Sequence, residues 1–96
     1  MPGYEIVFIA QPTMEQEPLV ALVDKVTKFV NDLQGQVVRV DSWGKRRLAY
    51  PIKKQFEGFY YVAEIELPAT AVRGLERSLR VVEEIIRYLI VRKDEA

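Results

Sequence analysis

Apolar residues recur at three- and four-residue spacing through the first third of the chain, which places them on one stripe of an amphipathic helix. The stripe consists of Leu19, Leu22, Val23, Val26, Phe29, Val30 and Leu33. Thr13 and Gln16 form a capping-box pattern ahead of it, with Glu17 as an alternative start, and Gly35 is expected to end it. This is the clearest helix in the sequence.

Four other segments alternate between apolar and polar residues or form short β-branched and aromatic runs, as strands do. They are residues 4–10, 36–43, 59–67 and a last segment around 86–91. The alternation predicts core positions at Val38 and Val40, at Phe59, Tyr61, Ala63, Ile65 and Leu67, and at Ile86, Tyr88 and Ile90. Gly44 allows a bulge or bend. A second, shorter helix is predicted from about 70 to 81 by Val72, Leu75 and Leu79, and Gly74 weakens it.

The predicted element order is strand, helix, strand, strand, helix, strand. Two helices with one apolar stripe each cover only one face of a four-stranded sheet. The prediction is therefore an α+β ferredoxin-like split βαβ sandwich, one domain over residues 1–96. Right-handed crossovers give an antiparallel sheet ordered 4-1-3-2, with both helices on one face and the other face open.

The predicted open face carries an apolar strip from three neighbouring strands. The strip consists of Val7, Ile9, Val62, Leu89 and Val91. A protein partner that covers it is one interpretation, because exposed apolar patches often mark interfaces. The alternative is the ordinary aliphatic exposure of a small domain.

Composition excludes several classes of site. The chain of 96 residues has no cysteine and no histidine, so it lacks disulfides, thiolate nucleophiles and the commonest metal ligand and general base. The closest carboxylate pairs, Glu83 with Glu84 and Glu64 with Glu66, have no nucleophilic neighbour in an evident cleft, and solvated charge is the better interpretation. Neither a cofactor, a metal nor a small-molecule substrate is expected. The chain has neither a membrane-length apolar run nor a signal-peptide pattern, which predicts a cytoplasmic protein without membrane contact.

The charge is balanced overall but unevenly distributed. Lys and Arg number 14, as do Asp and Glu, yet residues 39–54 carry six bases and one acid. Within them, WGKRRLAYPIKK interleaves cations with Trp43 and Tyr50, a mixture that suits RNA because cations neutralise phosphates while aromatic rings stack on bases. A solubilising edge hairpin explains the same residues. For Arg87 the alternative is an ion pair with Glu5 on the neighbouring strand.

The segment EGFYYVAE at 57–64 also echoes the RNA-recognition-motif octamer. Glu57, Tyr60 and Glu64 depart from that pattern, and the alternation turns Phe59 and Tyr61 toward the helices, away from any base. A stand-alone RNA-recognition module is therefore one rival interpretation. A self-associating, ligand-sensing regulatory domain and a small hydrolase are two others.

Four segments together resemble one known family. They are YEIVFIAQP, WGKRRLAYPIKK, EGFYYVAEIELP and IIRYLIVRK, and the sharpest is the Gly-x-Arg-x-Leu-Ala-Tyr-Pro-Ile run from Gly44 to Ile52 with Gly58 downstream. The chain is similar over nearly its whole length to the bacterial ribosomal protein S6 family. The resemblance implies a structural ribosomal protein, not an enzyme. It would bind the central domain of small-subunit ribosomal RNA together with ribosomal protein S18.

The resemblance also implies roles for single residues. Those expected to contact RNA are Arg46, Arg47 and Arg87, with Lys45, Arg92 and Lys93 as weaker candidates. Candidates for stacking or for the partner contact are Tyr4, Trp43, Tyr50 and Tyr60, any of which could be core instead, with Val62 and Leu89 of the apolar strip.

Two features depart from the family pattern. Pro2 and Gly3 replace the basic residues that many members carry before the Tyr-Glu pair, which argues against an N-terminal RNA contact. Some members extend into an acidic tail to which glutamates are added, whereas this chain stops at Asp94-Glu95-Ala96, which puts that modification in doubt.

Overall fold

A computed structural model describes residues 1–93, and the expectation about the last three residues lies outside them. The elements are β1 (Gly3–Ala10), α1 (Gln16–Asp32), β2 (Gln36–Ile52), β3 (Gln55–Glu66), α2 (Val72–Arg80) and β4 (Ile85–Arg92). A single 3₁₀ turn, Ala69–Ala71, leads into α2. All six predicted elements are present in the predicted order. Among the described residues, neither helix has the length and hydropathy of a membrane-spanning segment.

The four strands form one antiparallel sheet in the order β2-β3-β1-β4, which is the predicted 4-1-3-2 order read from the other edge. β1 lies between β3 and β4, so β2 and β4 are the two edge strands. Both helices pack on one face, and the fold is the predicted split βαβ sandwich. The other face of the sheet remains open.

The main core lies between the helices and the sheet. Its buried residues include Ile6 and Phe8 from β1, Leu22, Val26 and Val30 from α1, Ala63 and Ile65 from β3, and Leu75 and Leu79 from α2. Phe8 and Tyr61 stack across the β1–β3 pair with ring centroids 5.2 Å apart. The apolar stripe of α1 therefore covers the helix-facing side of the central strands, as its spacing predicts.

The ends of α1 differ from the sequence prediction in detail. The helix begins at Gln16 after Glu15, which makes no side-chain capping bond, so the predicted capping box is absent. At the other end Gln34, not Gly35, takes the left-handed conformation, with φ of 71°. The N–H of Gly35 donates to Val30 O at 3.0 Å, which closes a Schellman motif. Gly35 is needed for another reason, since a Cβ there would overlap the carbonyl oxygen of Glu66.

Two bulges change which side chains face the core. The β2–β3 register shifts between Val37 and Arg39, so Val38 is the extra residue and is exposed, and Val37 joins Val40 against the core. The prediction that Val38 points inward is therefore wrong. A second shift, in the β1–β4 pair, leaves Ile86 as the extra residue on β4. Ile86 is buried as predicted, but it packs on Ile9 and Leu48 and not in the main core, because it is the extra residue of the bulge. Tyr88 and Ile90, which follow the bulge, pack against the main core as predicted.

Candidate nucleic-acid and partner interface

The cations of the β2–β3 hairpin form the most concentrated positive surface of the described chain. We call Lys45, Arg46, Arg47, Lys53 and Lys54 the hairpin cations, and all five are exposed. The first three follow a bulge at Gly44, whose φ of 77° is in the left-handed region that glycine tolerates. Of the bulge or bend that Gly44 was predicted to allow, the structure has the bulge.

Two of these cations lie over aromatic rings. The Lys45 Nζ is 5.3 Å from the centre of the Phe59 ring, and the Arg46 guanidinium is 5.3 Å from the centre of the Trp43 ring. The Arg46 Nε also donates to the Trp43 carbonyl oxygen at 3.2 Å. Trp43 is still 50% exposed, so its indole and the guanidinium together present a broad, flat, positively charged surface. Sequence reasoning singled out these residue types but not their pairing.

Lys53 and Lys54 form the two-residue turn at the tip of the hairpin. Both have positive φ, 50° and 67°, which a two-residue type I′ turn requires and which glycine or asparagine normally supplies. Two lysines therefore occupy a conformation that costs them free energy. These two residues were not among the predicted RNA contacts, although a Lys-Lys pair between two strand patterns was a usable signal.

Residues 48–51 leave regular pairing with β3 and cross the open face of the sheet. Arg47 pairs with Glu57 and Ile52 pairs with Gln55, so four residues of β2 face one residue of β3. Leu48 is only 9% exposed because it packs on Ile9 and Ile86 in a second, smaller apolar cluster. This cluster lies on the open face, which is therefore partly covered by the chain itself.

The side chain of Tyr50 reaches β4, the opposite edge strand of the sheet. The Arg87 Nη1 on β4 donates a hydrogen bond to the Tyr50 hydroxyl, and the guanidinium carbon is 5.9 Å from the ring centre. Between the two segments lies a shallow pocket of about 230 Å³ lined by residues such as Val7, Tyr60 and Leu89. In the β1–β4 register Arg87 lies opposite Ile9, four residues along β1 from Glu5, so the ion pair with Glu5 that the sequence suggested as the alternative for Arg87 is wrong.

The predicted stacking and partner residues do not form one surface. Tyr4 is buried in the main core, which was the alternative considered for it, and it is therefore unavailable to a partner. Val62 is 8% exposed, and Tyr60 is half-buried against the smaller cluster. Leu89 and Val91 on β4 are 53% and 43% exposed. The accessible part of the apolar strip is therefore its β4 edge.

The cations at the end of β4 lie apart from the hairpin. The Lys93 Nζ pairs with Glu64, whose carboxylate also lies 3.3 Å from the guanidinium of Arg39. The hydrogen bond and charge of Lys93, with a smaller effect from Arg39, lower the pKa of Glu64 despite some desolvation. Arg92 is exposed beside Lys93. Part of the positive charge here is thus compensated within the chain.

The rival interpretations find little support in this geometry. Tyr61 of the octamer is buried against Phe8, which prevents it from stacking on a base. Of the carboxylates considered for catalysis, Glu64 is held in ion pairs and Glu66 accepts a hydrogen bond from Gln36 at 2.6 Å. Within residues 1–93 no group of three or more His, Cys, Asp or Glu side chains is placed to hold a metal.

Comparison with known proteins agrees with this architecture. The model of the family described as Ribosomal protein S6 matches residues 3–92. Among curated proteins, Small ribosomal subunit protein bS6 of Moorella thermoacetica is 43% identical over 95 residues, which cover 99% of this chain and 97% of that protein. Small ribosomal subunit protein bS6 of Heliobacterium modesticaldum is 42% identical over 95 residues, which cover 99% of this chain and 99% of that protein.

A solved structure has the same fold. The crystal structure of 30S ribosomal protein S6 from Thermotoga maritima superimposes with a TM-score of 0.90 at 34% sequence identity, covering 96% of this chain and 87% of that one. Element order, sheet order and the family match over nearly the whole length agree with one another. The chain belongs to the ribosomal protein S6 family.

Proposed function

We propose that this protein is a non-enzymatic structural constituent of the small ribosomal subunit that binds the central domain of small-subunit ribosomal RNA together with ribosomal protein S18. Family membership supports the ribosomal part of the proposal. The observation that carries the RNA part is the exposed set of five hairpin cations, two of which lie over aromatic rings.

The hairpin suits the chemistry of folded RNA. Lysine and arginine neutralise phosphates, and a flat indole or guanidinium stacks on an unpaired base at a junction or bulge. Trp43 and Arg46 offer both within one exposed surface. We assign the main RNA contacts to Lys45, Arg46 and Arg47, with Arg92 and Lys93 as weaker contributors because Lys93 shares its charge with Glu64.

The β4 edge of the open face suits a protein partner. Leu89 and Val91 are exposed on a strand whose outer edge is unpaired in the described chain. We assign the contact with S18 to this edge. Because the chain has a formal net charge of +0, a basic partner would add the cations that binding to RNA requires.

The test is a salt series. Binding of the purified chain to a central-domain fragment of small-subunit ribosomal RNA is measured with and without S18. We expect tight binding only with S18, with log Kd depending linearly on log salt. Arg46→Ala weakens binding and lowers the magnitude of the slope by about 0.7–0.9, since one phosphate contact is lost.

Arg77→Ala is the matched control, because it removes the same charge from α2 on the other side of the sheet and is expected to change neither affinity nor slope. No binding in either condition would contradict the proposed function. Equal losses for Arg46→Ala and Arg77→Ala would mean that only net charge matters and that the hairpin is not the contact surface.

A further inference from the structure

The Tyr50–Arg87 contact joins two strands that are not neighbours. β2 and β4 are opposite edges of the sheet, separated by β3 and β1. Three strand spacings correspond to about 14 Å, so residues 48–51 leave their pairing with β3, and the long side chains of Tyr50 and Arg87 close the rest of the distance. The four-against-one bulge opposite Phe56 supplies the extra length of backbone.

The crossing is supported from below by packing. Leu48 fills the space above Ile9 and Ile86, and Ile52 and Tyr60 pack around the same cluster. Gly58 leaves room for Ile9, since a Cβ at residue 58 would overlap its Cγ2 atom. Residues 48–51 are thus fixed at Leu48 by apolar burial and at Tyr50 by a hydrogen bond to a charged group.

We propose that the Tyr50–Arg87 contact is a latch that sets the orientation of the hairpin cations for RNA, so that Arg87 is a positioning residue and not a phosphate contact. This inference rests on the proposed function and changes the role that the family resemblance suggests for Arg87. Tyr50 correspondingly acts through its hydroxyl, not by stacking on a base.

The latch lies between the two groups of hairpin cations. Arg46 and Arg47 come just before residues 48–51, and Lys53 and Lys54 come just after them. Fixing the intervening segment against β4 restricts both groups relative to the sheet, and a preorganised surface loses less conformational entropy on binding. One of the five guanidinium N–H groups of Arg87 donates to the Tyr50 hydroxyl, and the guanidinium lies over the Tyr50 ring, so this side chain is held within the chain's own structure before RNA binds.

The experiment separates positioning from phosphate contact by salt dependence. Tyr50→Phe keeps the ring and removes the hydroxyl, Arg87→Met removes the charge at similar length, and the double variant combines them. RNA binding of the S18 complex is measured for each across the salt series. Arg46→Met serves as the direct-contact comparison and Arg77→Met as the control for loss of a surface charge.

We expect Tyr50→Phe and Arg87→Met each to weaken binding about three- to tenfold at every salt concentration, the range of one net hydrogen bond. The slope stays that of the parent for both, and the double variant is no weaker than either single one because both remove the same contact. Arg87→Met with a slope reduced by about 0.7–0.9 and Tyr50→Phe with parental affinity would overturn the proposal. Unchanged affinity in both variants would overturn it as well.

A second readout does not depend on RNA. In the free protein, both variants are expected to increase amide hydrogen exchange in the hairpin, at residues 44–47 and 55–58, and to leave α1 and α2 at parental rates. If the parent protein fails to bind RNA but exchange rises in this pattern, the proposed function fails and the latch stands. If exchange in the hairpin does not change, the latch is absent whatever the RNA result.

Discussion

Gly58 occupies a position where even a methyl group has no space. A Cβ there would overlap the Ile9 Cγ2 atom and lie 3.0 Å from the carbonyl oxygen of Ala10. Leu48 and Ile86 pack on the same isoleucine, so Ile9 cannot move aside without opening the smaller cluster. The requirement for glycine comes from packing and not from a positive φ.

Gly58→Ala is therefore expected to destabilise the fold by about 1–3 kcal/mol, the usual cost of overpacking a filled site. Urea denaturation measures the change. Gly3→Ala is the control, since the nearest atom to a Cβ there is 3.9 Å away. Equal stability of the two variants would show that Ile9 has room to move.

The lowered pKa of Glu64 makes the stability of the fold depend on pH. Its folded-state pKa is below the ordinary value of 4.5 because Lys93, and to a lesser extent Arg39, favour the carboxylate. A lowered pKa in the folded state means that the stabilisation is complete above the ordinary value and is lost as the pH falls through the lowered one.

Glu64→Gln should be less stable than the parent at neutral pH, and the difference should disappear as the pH is lowered through that range. Thermal unfolding between pH 2 and pH 7 measures it, with Glu83→Gln on the turn after α2 as the control. High salt should reduce the difference, because these groups are partly exposed and screened. A difference that is independent of pH would contradict the assignment.

Among the elements, the β2–β3 hairpin carries positive charge at turn positions where lysine is less stable than glycine or asparagine. Its turn residues Lys53 and Lys54 have positive φ without the glycine or asparagine that such turns favour. The alternation along β2 is clear only over residues 36–43, whereas the strand continues to Ile52 through bulges. Period-two patterns do not detect bulged segments, because each extra residue reverses the pattern.

Lys54→Gly is expected to raise the free energy of unfolding by about 0.5–1 kcal/mol, since glycine adopts positive φ without the steric cost that lysine pays. The same variant should bind RNA more weakly at low salt with a smaller salt slope. Chemical denaturation and the salt series measure the two effects. Lys54→Ala is the control for the steric explanation. Alanine removes the charge but has the same unfavourable positive φ as lysine, so this variant should not be more stable than the parent.

At the scale of the whole molecule, charge and apolar surface are separated. The hairpin cations lie at one end of the sheet, and the exposed apolar residues Leu89 and Val91 lie along its β4 edge. A neutral chain can thus present a positive end to RNA and an apolar edge to a protein. Leu48 covers Ile9 and Ile86 on the open face.

Leu89→Glu should abolish or weaken association with S18 by at least about tenfold, because a charge would be buried in the interface. Stability of the free chain should change by no more than about 0.5 kcal/mol, since the side chain is exposed. Isothermal titration calorimetry with S18 measures the first effect. Val81→Glu, on the exposed turn after α2, is the matched control, and an equal loss there would contradict the assignment of the β4 edge.

The element order, the apolar stripe of α1 and the sheet order could be predicted from the amino-acid sequence, because they depend on local periodicity and on general rules of chain connection, and the family could be predicted from its motifs. Three features required the folded structure: Val38 and Ile86 lie outside the main core, Tyr4 is buried, and Tyr50 contacts Arg87 across the sheet. Bulges are set by pairing with another strand, and the crossing of residues 48–51 by packing between residues far apart in the chain. No local pattern encodes either, since each depends on contacts that exist only after the strands have come together.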